Sequence, residues 1–201
     1  IINSALDGYG IIVDRSSGSV LVKENTITNT DNAIVNSGQS DSVISFFLSN
    51  IIDGQNKSGS TGITQTTHGS NDSISSVSGI YLNNFVQNNT TGFNIVCEAD
   101  LTNSITANDN FLSGNASIID LTSAGTLNNS FTCNWWGTAS SGDVSASINP
   151  AVNYIPFLRD GTDNETGSAG FQPAPGTCTG YNSKLYVNDG SQTDDIFTTA
   201  T

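Results

Sequence analysis

Apolar residues in this chain come in short bursts of two to four, rich in Ile, Val and Phe, separated by Gly, Asn, Ser, Thr and Asp. Bursts of that length between turn formers predict short strands. One phrase recurs: an Asn or Asp, a small or amide residue, then an apolar residue. It reads Asn83-Asn84-Phe85, Asp109-Asn110-Phe111 and Asn129-Ser130-Phe131, and upstream Asn50-Ile51-Ile52, Asn25-Thr26-Ile27 and, weakly, Asn3-Ser4-Ala5. A second polar mark follows eleven positions later at Asp14, Asn36, Asn94 and Asp120, each after apolar residues. The phrases are 22, 25, 33, 26 and 20 residues apart. Helical repeats need about 33 to 45 residues, so most of these units are too short for a helix pair. Three short strands per unit fit, for example Val20-Leu21-Val22, Thr26-Ile27-Thr28 and Ala33-Ile34-Val35. Such units stacked in parallel make an all-β solenoid, a parallel β-helix with coils about 4.8 Å apart.

The pattern predicts six to seven coils over residues 1–158, with Ile27, Ile52, Phe85, Phe111 and Phe131 in one inward column. The facing of Val20 to Lys23 is ambiguous. Polar stretches 54–61 and 66–78 read as loops around the burst Gly62-Ile63-Thr64, and the second carries the only histidine, His68. Such insertions are either solvated or sites of binding. Trp135 and Trp136 are neighbours, so on a strand they face opposite sides. One can plug the end of the apolar column as a cap while the other covers an outer surface; paired tryptophans can also form a sugar platform. Val144 to Leu158 adds a closing apolar segment, whose Pro150 and Pro156 call for edge or extended backbone. Residues 159–183, rich in Gly and Pro, read as a linker. Residues 184–201 read as the first strand of a following module, through Leu185-Tyr186-Val187 and Ile196-Phe197. The chain opens on Ile1-Ile2 within the repeat pattern, and further coils are expected before it because solenoid ends are normally covered.

Composition narrows the function. Of 201 residues only five are Lys or Arg, and the net charge is -13. Nucleic acid and anionic membrane, which demand basic patches, are therefore poor partners. An acidic surface serves solubility and sometimes Ca²⁺. A lone His defines no metal site, so no cofactor is expected, with Ca²⁺ the one cation the composition admits. Apolar content of 35% suits a narrow core column. No apolar run of about 20 residues, the length of a membrane-spanning helix, is present. The recurring Asn and Asp suit turns, where they accept left-handed backbone. A charge in a dry amide ladder would be costly, and Asp109 in the phrase favours a wet turn.

The run Cys133-Asn134-Trp135-Trp136-Gly137, then Asn153-Tyr154-Ile155-Pro156-Phe157-Leu158, Gly161-Thr162-Asp163, Gly170-Phe171-Gln172-Pro173 and Gly176-Thr177-Cys178 resembles a module of very large secreted surface proteins of Bacteroidota-type bacteria. Those proteins are built from right-handed parallel β-helix domains in tandem. The resemblance covers residues 79–201 and implies an extracellular, cell-surface adhesin or filament exported by the type IX system. Its partners would be further β-helix modules of the same chain or neighbouring copies, and surface polysaccharide. It also implies a Cys133–Cys178 disulfide, leaving Cys97 free, and the O-glycosylation pattern of those bacteria matches at Ser42 and Ser73. The chain is expected to be non-catalytic. The competing class is a carbohydrate-active β-helix enzyme of pectate-lyase or polygalacturonase type, or a sugar-binding fibre. A hydrolase of that sort needs paired carboxylates, whereas Asp14, Asp53, Asp109 and Asp120 are scattered over several units.

Overall fold

The structure, a computed structural model, describes residues 2–3, 8–14, 18–38, 43–67, 76–149, 151–178, 184–186 and 196–198. The first coil is β1 (Ile2–Asn3), β2 (Tyr9–Asp14) and β3 (Gly18–Lys23). The second is β4 (Thr26–Thr28), β5 (Asn32–Gly38) and β6 (Val43–Leu48), and the third β7 (Ile51–Asp53), β8 (Thr61–Thr67) and β9 (Ser76–Leu82). The fourth is β10 (Phe85–Gln87), β11 (Thr91–Cys97) and β12 (Thr102–Asn108), followed by β13 (Ser117–Ser123) and β14 (Thr126–Ser130). Strands stack in parallel into three sheets, ordered β1-β4-β7-β10, β2-β5-β8-β11-β13 and β3-β6-β9-β12-β14. This is a parallel β-solenoid. From the first to the last strand of either five-stranded sheet the chain winds about four turns.

That is fewer than the six to seven coils expected. The closing segment counted as a coil contains instead a helix, α1 (Ser141–Ser147). Ser140 caps it by accepting from the Asp143 backbone N–H, and Val144, Ile148 and Val152 are buried against the last coil. The stretch 61–67 is a full strand and not a short burst, because its inward positions Gln65 and Thr67 are polar yet buried. Hydropathy alone ends that strand too early.

The expected core column splits in two. Ile27 and Ile52 do stack inward, but their next partner is Val86. Phe85 is in register with Ile51, and single bridges continue that outer row through Phe111 to Trp135. Phe85 and Phe111 therefore lie on the outer face, half-buried. Phe131 is inward and fully buried, one place beyond the Ser130–Thr106 pairing, which continues the row Val22, Phe47, Tyr81, Ala107. The slip has a local cause: counted from the corner residues Glu24, Ser49, Asn83, Asp109 and Cys133, Ile27 and Ile52 stand three places after the corner, Phe85 and Phe111 two places after it on the opposite face, and Phe131 two places before it. Inside, Phe47 stacks on Tyr81 at 4.7 Å, and Phe93 meets both Tyr81 and Phe131 edge-on. Val20 and Val22 face the core, since their register partners Ser45 and Phe47 are fully buried, and Leu21 faces out. Phe111→Ala is accordingly expected to cost about 1–2 kcal/mol in chemical denaturation, well short of the roughly 3–5 kcal/mol of a core Phe.

Residues 159–178, expected as a linker, are folded against the solenoid. Phe171 is fully buried against the outer rings of Phe85 and Phe111, at 5.4 and 5.5 Å. Its backbone N–H donates to the Asn83 carbonyl, and Asn83 Nδ2 donates to the Phe171 carbonyl. Gly161 lies so close to the Trp135 indole that a Cβ would have no room, and Gly170 turns with φ +78° against Ser49 and Asn83. The segment is a strap over the outer aromatic row. Beyond it, β15 (Lys184–Tyr186) and β16 (Ile196–Thr198) pair antiparallel with each other.

Candidate functional site

The site is the corner that joins the third sheet to the first, together with the strap that crosses it. Glu24, Ser49, Asn83, Asp109 and Cys133 each adopt φ from 55° to 58° there, in register from coil to coil. This left-handed turn is brief enough for non-glycine residues, which Asn and Asp accept most readily. The residue after each turn is always Asn: Asn25, Asn50, Asn84, Asn110 and Asn134. These five side chains form a ladder. Each Nδ2 donates to the Oδ1 of the next at 3.0, 3.0, 2.9 and 2.9 Å, and each backbone N–H donates to that same oxygen. The second Nδ2 hydrogen of Asn50, Asn84, Asn110 and Asn134 reaches the carbonyl of Val22, Phe47, Tyr81 or Ala107. The amides of Asn50, Asn84 and Asn110 are thus fully satisfied in a buried place, the condition under which buried polar groups stabilise.

The amide row therefore runs one position later than the repeat phrase at Asn84 and Asn110, and at Asn134 it lies outside the Asn129-Ser130-Phe131 phrase altogether. Asn83 and Asp109 are the turn residues beside it. Cys133-Asn134-Trp135-Trp136 is the fifth copy of the same corner. Trp136, 3% exposed, closes the apolar column, and Trp135 continues the outer row beneath the strap.

Cys133 and Cys178 are bonded, with S–S 2.00 Å and Cα atoms 5.2 Å apart, so the strap is clipped to the fifth corner. Cys97 is a free, buried thiol. Between strap and corner lies a groove of about 360 Å³, lined by Asn83, Asp109, Asn164, Glu165, Gln172 and Thr177 among others. Partial burial holds the Asp109 carboxyl above its ordinary range. A raised native pKa favours the protonated form, so this contribution to stability is present in acid and is lost as pH rises through the raised value. Asp109→Asn, which keeps the turn, should therefore raise the melting temperature at neutral pH. The gain should vanish below the usual carboxylate range, as a melting series against pH would show.

The other singled-out carboxylates do not join Asp109. Asp14 accepts from Ser37, Asp53 from Gln87 and Asn88, and Asp120 from Thr91 and Ser117, each on an outer position of its own coil. Among the described residues no group of three or more His, Cys, Asp or Glu is placed to hold a metal ion. His68, Ser42 and Ser73 lie outside the described residues.

Sequence reasoning missed a second buried polar group inside the coils. The Tyr81 hydroxyl donates to Gln65 Oε1 at 2.6 Å, Asn36 Nδ2 donates to the same oxygen at 3.1 Å, and Ser45 donates to Asn36. Gln65 Nε2 in turn donates to Asn103. Burial pushes the Tyr81 hydroxyl well above its ordinary value, the Asn36 contact opposing this. These residues link three successive coils and leave no space for a ligand: a Cβ on Gly79 would strike both Gln65 and Tyr81. Their role is packing.

The fold and site define a parallel β-solenoid with an internal amide ladder and a disulfide-clipped outer strap. Comparison with known proteins finds no matching family model, no matching curated protein and no matching solved structure.

Proposed function

We propose that this chain is a non-catalytic structural and adhesive segment of a long extracellular surface protein or filament, with its coils right-handed and residues 184–201 opening a further module. The disulfide carries the reading. Bonds of this kind persist in oxidising compartments, and here one holds a strap onto the outside of the solenoid. The amides of the ladder are consumed in holding coil to coil, which is what a stacked, load-bearing element requires. Other modules of the same chain or neighbouring copies are its natural contacts. Surface polysaccharide suits the polar groove beside Asp109, which offers amide donors and acceptors but exposes no broad aromatic platform, since the strap covers Phe85, Phe111 and Trp135.

Antibodies against the purified protein, applied to intact cells of the source organism, are expected to label the surface. Labelling only after permeabilisation overturns the assignment. The purified protein is also expected to release neither reducing ends nor unsaturated sugars from acidic or neutral polysaccharides. Release that is lost in Asp109→Asn would establish the carbohydrate-active alternative.

A further inference from the structure

The groove between strap and corner holds more hydrogen-bond acceptors than the protein itself uses. Asp109 is half-buried in its lining, and its carboxyl makes no hydrogen bond or ion pair among the described residues. Three amides line the groove beside it. Asn83 Nδ2 donates to the Phe171 carbonyl at 3.0 Å, Asn164 Nδ2 to the Thr162 carbonyl at 3.2 Å and Gln172 Nε2 to the Ala169 carbonyl at 2.7 Å. The amide groups are thus fixed through nitrogen, while their side-chain oxygens accept nothing among the described residues. Gln172 Oε1 is in addition cut off from bulk solvent. A buried acceptor without a partner costs stability, and such atoms are few in folded proteins. A donor entering the groove is the partner these oxygens lack.

The same lining restricts what that donor can be. Asp109 and Glu165 are both carboxylic acids, and no Lys or Arg lines the groove. An anionic ligand would therefore meet like charge with no cation to offset it. The volume, about 360 Å³, lies near the lower end of the roughly 300–1,000 Å³ usual for small organic ligands. A bare Ca²⁺ ion draws its six to eight oxygens in to about 2.3–2.6 Å and would leave most of that space unfilled. Each amide also keeps a second N–H hydrogen, so the lining donates as well as accepts, which suits hydroxyl groups and not a cation. Pro173, Ala174 and Pro175 supply an apolar wall for C–H groups.

We infer that the groove is a binding site for one neutral hexose residue at the end of a glycan, held by hydroxyl donation to Asp109 and to the oxygens of Asn83 and Gln172. This rests on the proposed adhesive role and narrows its polysaccharide partner to uncharged sugar. Asp109 and Asn83 come from two successive corners, and Gln172 from the strap, so the site exists only where the strap lies on the solenoid. The strap hides the aromatic row, so no ring is left to stack on the sugar, and binding is weak and carried by hydrogen bonds.

Titration of the oxidised full chain, followed by ¹⁵N–¹H correlation NMR, tests this. The probes are the methyl glycosides of glucose, galactose and mannose, with glucuronic acid and calcium chloride as separate additions. At least one neutral glycoside is expected to shift the side-chain amide signals of Asn83, Asn164 and Gln172 saturably at millimolar concentration. Glucuronic acid should shift them less at every concentration. Asp109→Asn keeps the turn and should weaken binding roughly five- to tenfold, the difference between a charge-assisted and a neutral hydrogen bond. Glu165→Lys, at an exposed position, should keep the neutral sugar and let glucuronic acid bind. The unliganded spectrum of each variant shows directly whether it is folded. Absence of shifts with all three glycosides overturns the inference, as does binding that Asp109→Asn leaves unchanged. Calcium chloride moving the same signals and displacing the sugar overturns it too, in favour of a cation site. Surface labelling of cells is read without sugar: labelled cells with a silent groove reject the sugar site alone, and sugar binding by a protein that is not at the surface rejects the location alone.

Discussion

Asn84→Leu is expected to destabilise the chain by about 3–5 kcal/mol, enough to unfold the middle coils at moderate temperature. The volume is nearly kept, so the cost is in hydrogen bonds. The Asn50 backbone N–H and Nδ2 lose their acceptor, and the Phe47 carbonyl loses its donor, all in a place with no exposed surface. Each orphaned group costs about 1–3 kcal/mol. Asn84→Asp makes the discriminating comparison. It restores an acceptor for Asn50 but gives no side-chain N–H to Phe47 or Asn110, and it buries a charge. Equilibrium urea denaturation should place both variants well below Asn83→Ser, one position away at the turn, where Ser49 already serves. Equal effects at 83 and 84 would show that the ladder contributes no more than the turn.

Removing the disulfide is the second large effect. Cys133→Ser with Cys178→Ser is expected to cost roughly 4 kcal/mol in the chain-entropy account of a loop with this separation of 45 residues. The structure also says where the loss appears. The strap holds to the coils through Phe171, its two bonds with Asn83, and the contact of Gly161 with Trp135. Freed from the clip, it should be cut by protease between residues 162 and 174, and Trp135 emission should shift to the red as water reaches it. Wild-type protein in reductant should reproduce both changes. If melting falls but the strap stays protected, the aromatic contacts alone suffice to hold it.

Much of this architecture was legible because it repeats. A short strand needs alternating apolar residues and a turn needs Asn, Asp or Gly, and both recur at unit spacing. The amide register was harder to read, since Asn83-Asn84 and Asp109-Asn110 each offer two residues of suitable chemistry. Only the positive φ at the first and the bonds at the second tell them apart. Phe85 and Phe111 look like core residues because nothing local in the chain announces that Phe171 will cover them on the outside. The strap reads as a linker for the same reason: Gly and Pro suit both a free tether and an extended segment laid on a surface, and one buried phenylalanine decides between them. Gln65, Asn36 and Tyr81 satisfy one another across coils, a relation that no spacing within a single coil reveals.

The clip also changes how the molecule answers to tension. When the chain is pulled from its two ends, load entering at the first coils reaches Cys133 and passes through sulfur to Cys178. Helix, end cap and strap lie in the bypassed loop, whose hidden contour is roughly 150 Å at about 3.5 Å per residue. The coils ahead of Cys133 must then peel away first, while the cap stays seated at the base of whatever remains wound. Only a reducing environment puts the cap and strap in series with the load, so force extension with and without reductant should differ by that hidden length.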